Sequence, residues 1–158
     1  MLEMRIDTLS PIRVAAVRHV GPFQELKGAF EKVCGWAGAN NLFGPGTKVL
    51  GVFHDDPKST EAAQLRSDAA VTVDDSVEAD PDSGITITEI PGGTYAVGIL
   101  KGPYEGLEAA YTWIYQEWLP EAGHRPLPQA SYEVYLNDES TVPKAELLTA
   151  IHIPIEVV

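Results

Sequence analysis

Short apolar runs separated by Gly, Pro, Asn and Asp dominate the chain, and helical spacing interrupts them once in each half. Met4–Thr8 and the Val-rich Arg13–His19 read as strands, closed by Ser10-Pro11 and Gly21-Pro22. Proline suits a first helical turn. Leu26, Phe30, Val33 and Ala37 follow at the spacing of one helix face, which Gly38 and Asn40-Asn41 terminate. Val49–Phe53 and Ala69–Val73 are the next predicted strands, and the acid-rich stretch Asp74–Gly84 reads as a linker. Beyond it the order recurs. Strands at Thr86–Ile90 and Tyr95–Lys101 lead to a second helix opened by Gly102-Pro103, with a buried stripe of Leu107, Tyr111, Ile114 and Trp118. Pro120 and Gly123 stop that helix, and strands at Ser131–Leu136 and Leu147–Glu156 close the chain. Each half reads β-β-α-β-β, which predicts an α+β protein with antiparallel sheets and its helices on one side.

The recurrence extends to the residues themselves. Gly21-Pro22-Phe23-Gln24-Glu25-Leu26-Lys27-Gly28-Ala29-Phe30 matches Gly102-Pro103-Tyr104-Glu105-Gly106-Leu107-Glu108-Ala109-Ala110-Tyr111, with both Phe residues replaced by Tyr. Leu50-Gly51-Val52-Phe53 falls near Tyr132-Glu133-Val134-Tyr135, and Ala70-Val71-Thr72-Val73 near Ala150-Ile151-His152-Ile153. The pattern predicts one domain over 1–158, with repeat 1 at about 1–76, a linker at about 77–84 and repeat 2 at about 85–158. Two similar halves are expected to pack with pseudo-two-fold symmetry and to leave a ligand cleft between them.

Helices on one side would leave the other sheet face partly open, its side chains alternating with those of the core. Val134 and Leu136 then read as core, and Glu133 and Tyr135 as pointing into the cleft. Glu133 is the sharpest candidate. It is a carboxylate in an apolar strand with no neighbouring Lys or Arg, so it either reaches solvent or awaits a cation. An anionic anchor beneath aromatic rings suits planar or cationic ligands; an exposed edge-strand Glu is the plain alternative. Tyr95 and Tyr135 are strand-borne candidates for the open face, and Phe53 is the first-half counterpart of Tyr135. Tyr111 and Trp118 lie on the helix stripe, which favours core. Trp113 lies off it, which favours a pocket rim or an interface.

Composition narrows the function. A net charge of −12 argues against a broad nucleic-acid footprint and is compatible with cationic ligands or basic partners. No run is apolar enough to span a bilayer, and Met1-Leu2-Glu3-Met4-Arg5 does not resemble a secretory signal. A single cysteine, Cys34, excludes an internal disulfide and fits a reducing cytoplasm; nothing local activates it. His19, His54, His124 and His152 lack metal-ligand spacing, and the Asp pairs read as solvated turns. No metal, cofactor or membrane contact is expected, and the protein is expected to be a monomer or homodimer.

Trp118-Leu119-Pro120-Glu121-Ala122-Gly123, Pro128, Tyr132–Asp138 and Ile151-His152-Ile153-Pro154-Ile155, together with the Gly102-Pro103-Tyr104 helix start, resemble the GyrI-like small-molecule-binding family. The same module serves as the effector-binding domain of some AraC-type and MerR-type activators. The resemblance spans Arg5 to Val157. It implies tandem SHS2-type βαββ halves and a groove for hydrophobic, often cationic compounds. It also implies that Glu133 is the family's cation-pairing Glu and that Trp118 is the Trp of its Trp-Leu-Pro motif. The chain begins at its first strand, which leaves no room for a preceding helix-turn-helix. The leading expectation is therefore a stand-alone binder of small hydrophobic or cationic molecules. Inhibition of DNA gyrase by protein contact is the first alternative. Hydrolysis of cyclopropane-bearing cytotoxins with Glu133 as acid or base is the second, with no second catalytic group in sight.

Overall fold

The computed structural model describes residues 2–156. The chain divides into two compact units, Ser10–Gly92 and Met1–Leu9 with Gly93–Val158.

In the unit Ser10–Gly92, four antiparallel strands stand in the order β3-β4-β2-β5: β2 is Ile12–Val20, β3 Val49–Phe53, β4 Arg66–Thr72 and β5 Thr86–Ile90. Helix α1, Lys27–Ala39, covers one face. Its Ala29, Val33 and Ala37, with Leu26 before it, bury against Ala15, Val17, Ala69, Val71 and Ile85, as the apolar spacing demands. Phe30 packs at the edge of this core. The turn into the helix needs Gly21, whose φ of 135° suits glycine and whose N–H donates to Leu65 O at 2.8 Å. Asn41, at φ 56°, ends the helix. The acid-rich stretch is tied down inside this unit: Arg13 donates to the carbonyls of Asp74 and Val77, and Trp36 Nε1 donates to Asp80 at 3.0 Å.

In the other unit the order is β1-β6-β8-β7: β1 is Glu3–Leu9, β6 Gly93–Lys101, β7 Ser131–Tyr135 and β8 Leu148–Pro154. Gly102 repeats the Gly21 device, with φ 138° and an N–H donated to Leu147 O at 2.8 Å. The covering helix is not uniform. An α-helical segment, α2 (Leu107–Trp113), passes into a π-helical turn at Ile114–Trp118 and then into α3 (Leu119–Ala122). Pro120 has no N–H and its ring displaces the carbonyl four residues earlier, which suits a widened turn.

Three expectations need correction. The wide turn moves the buried stripe by one residue: Ile114 and Leu119 are buried, and Trp118 is only partly so, stacking on His124 at 6.0 Å. Leu136 is half exposed because β7 ends at Tyr135. The sheet face away from the helices is not open, since Tyr95, Val97 and Tyr132 on that face are buried. The compact units also differ from the predicted halves. β1 pairs with β6, and β5 pairs with β2, so each unit takes one strand from the far side of the sequence boundary. Sequence similarity between halves carries no information about which sheet a terminal strand completes.

Candidate functional site

Strand β7 presents Tyr132, Glu133, Val134 and Tyr135 to alternate faces. The register decides which face. Glu133 stands opposite Ile151 and Tyr135 opposite Thr149, and Ile151 belongs to the apolar cluster under α2. Glu133 and Tyr135 therefore face the helix, contrary to the expectation that they turn away from it.

Glu133 is 3% exposed. Its Oε2 accepts the Tyr111 hydroxyl at 2.7 Å, and its Oε1 accepts the Tyr135 hydroxyl at 2.9 Å. No Lys, Arg or His forms an ion pair with it among the described residues. Two further rings extend the group. Tyr104 meets Tyr135 edge-on at 5.8 Å, and Tyr115, partly exposed, stacks on Tyr111 at 6.5 Å. Burial pushes the acidity of Glu133 to a higher pKa than usual, and the two phenol bonds pull it partly back. Burial, and then the charge of Glu133, push the Tyr111 and Tyr135 phenols well above their ordinary value, so both stay protonated donors. Burial, Glu139, Asp138 and Glu133 together raise Tyr104. A carboxylate offers about four lone-pair sites, and the phenols use two. The arrangement can therefore hold a positive charge inside an aromatic wall.

The description of the GyrI-like small-molecule binding domain matches residues 2–156. The chain belongs to that family. It is similar to a DNA gyrase inhibitor of Serratia proteamaculans, 31% identical over 140 residues, 87% of this chain and 88% of the relative. Among solved structures it resembles the C-terminal domain of EcmrR, with a TM-score of 0.82 and 22% identity over 100% of this chain and 99% of that one. It also resembles SAV2435 bound to tetraphenylphosphonium, with a TM-score of 0.65 and 14% identity over 98% of this chain and 94% of that one.

In this GyrI-like domain the expected site residues divide. Glu133, Tyr135 and Tyr111 come together. Tyr95 does not join them: it stands on the opposite face of its sheet, edge-on to Tyr132 at 5.4 Å, in a group that includes His152. Trp113 and Trp118 pack against the apolar cluster under the helix. Phe53 belongs to the unit Ser10–Gly92, edge-on to Phe23 at 4.9 Å. Tyr104 and Tyr115 escaped the sequence reading. Tyr104 was recoverable, because Phe23 and Phe53 are its and Tyr135's counterparts and each pair forms the same edge-on contact. Tyr115 carries no comparable signal.

At the positions that the sequence similarity pairs with Glu133, Tyr111, Tyr104 and Tyr135, the first half carries Gly51, Phe30, Phe23 and Phe53, none of which has a polar side-chain group. Its polar cluster lies elsewhere. Asp68, on the face away from α1, accepts Arg18 Nε at 2.6 Å and bonds His54 Nε2 at 2.7 Å. Burial pushes the Asp68 carboxyl up, but these two partners bring it below its usual range. The cluster is internally paired. Cys34 is partly buried, which raises its pKa and leaves it a poor nucleophile. Among the described residues no group of His, Cys, Asp and Glu could hold a metal ion, and no helix is long and apolar enough to cross a membrane.

Proposed function

We propose that this domain binds hydrophobic organic cations, with Glu133 pairing the positive charge and Tyr104, Tyr111, Tyr115 and Tyr135 walling it. One observation carries the reading: a buried carboxylate held by two phenol donors and paired with no basic residue among the described ones. A desolvated anion of this kind gains most from a cation that brings its own charge and little need for water. Ring faces add cation–π attraction. The tetraphenylphosphonium bound to SAV2435, a relative in fold, is a ligand of the same chemistry. Titration with tetraphenylphosphonium and with rhodamine 6G tests the proposal. Glu133→Gln should weaken both by roughly 2–5 kcal/mol, the loss expected when one partner of a buried charge pair is removed. Binding that survives the substitution unchanged refutes the anchor.

A second reading follows from the relatives named DNA gyrase inhibitor, which match about nine-tenths of the chain. In this reading the acidic protein, of net charge −12, meets gyrase directly. A supercoiling assay at saturating protein separates the two, since a binder of small cations leaves gyrase unaffected.

A further inference from the structure

Thr149 lies on β8, directly opposite Tyr135 on one side and Leu100 on the other. It shares the helix-covered face with Glu133, Tyr135 and Ile151, because it is two residues from Ile151 and a strand alternates. Its side chain is fully buried, at 0% exposure, and its Oγ1 has no hydrogen-bond partner among the described residues. An unpaired buried hydroxyl is costly, and a native structure that keeps one calls for a reason. Valine has the same shape, favours strands and would remove that cost. Glu133 is the diagonal neighbour of Thr149 across the β7–β8 pair, a separation on the order of 7 Å between Cβ atoms. The same arrangement recurs at Ser67, fully buried, opposite Phe53 and unpartnered among the described residues, with Gly51 rather than an acid at the diagonal position.

We infer that Thr149 is a specificity residue of the Glu133 site: its hydroxyl takes a hydrogen-bonding group of the ligand whose positive charge Glu133 holds. The inference rests on Glu133 holding that charge. It selects a subset of organic cations, those carrying a carbonyl, hydroxyl or N–H close to the cationic centre. A cation with only hydrocarbon around its charge leaves Thr149 unpaired and gains nothing from it.

Two probes read this directly. Rhodamine 6G carries an ester and N–H groups, whereas tetraphenylphosphonium carries no hydrogen-bonding group. Thr149→Val should weaken rhodamine 6G by about 3- to 10-fold, the range of one net hydrogen bond, and leave tetraphenylphosphonium within about twofold. Thr149→Ser, which keeps the hydroxyl, should restore the rhodamine 6G affinity. The Tm of Thr149→Val should equal or exceed that of the unaltered protein, which also certifies its fold. Equal changes for the two probes, or unchanged rhodamine 6G binding, overturn the inference, as does a lowered Tm, which shows the hydroxyl already paired. Failure of the Glu133 reading is distinct: Glu133→Gln then leaves both probes unaffected, whatever Thr149 does.

Discussion

Burial makes the charge of Glu133 expensive, and this gives its pH dependence a definite sign. Its folded pKa lies above the ordinary value of 4.5. As pH rises through that window the folded protein holds more protons than the unfolded chain, so stability falls with pH. The penalty is absent below the ordinary value and complete above the raised one. Glu133→Gln should therefore raise Tm relative to the unaltered protein at neutral pH, and the gap should close as pH falls toward 4.5; melting curves across that range measure it. Tyr111→Phe should act the other way, because it strips a charge-assisted bond from the anion. We expect a loss of up to about 1.5–3 kcal/mol at neutral pH that shrinks in acid, read from denaturant midpoints. The acid itself was legible in the sequence, as a lone carboxylate in an apolar strand. Its direction was not. Alternation reveals a face only when one face is wet, and here Tyr132, Glu133 and Val134 are all buried. Only the strand register, which composition does not encode, tells the two sides apart.

The strands were readable because turn residues bracket each of them, and α1 because its stripe keeps a 3.6 period. The second helix broke that assumption at the π-turn. The sequence periodicity pointed at Trp118, but the residue five places after Ile114, Leu119, is the one that reaches the core. Leu119→Ala should cost about 2–5 kcal/mol. Trp118→Phe, which keeps a ring against His124, should cost less than Leu119→Ala; chemical denaturation compares them. The β1–β6 pair depends on a different constraint. A Cβ at Gly98 would sit 2.7 Å from Met4 Sδ, its direct partner across the ladder. Gly98→Ala should lose no more than about 1 kcal/mol, because the flexible end of Met4 can swing aside. Met4→Ala in the same chain should recover part of it, and the double-mutant cycle reports that coupling.

Over the whole molecule, family membership came from short motifs in fixed order. The extent of each unit did not, because pairing between β1 and β6 joins segments distant in sequence. Deleting residues 2–9 should expose the edge of β6, at the far side of the sequence, and leave β2 shielded. Hydrogen exchange by mass spectrometry should show faster exchange in Gly93–Lys101 with little change in Ile12–Val20.

The crossed ownership of β1 and β5 also limits how the chain can be divided. A cut near residue 84 yields two fragments, each lacking one strand of its compact unit and each carrying the strand the other needs. Neither fragment can complete its unit alone, and mixing the two supplies both missing strands at once. Such a protein resists being pared down to a single half, and a shortened descendant would have to invent a new border strand before it could stand alone.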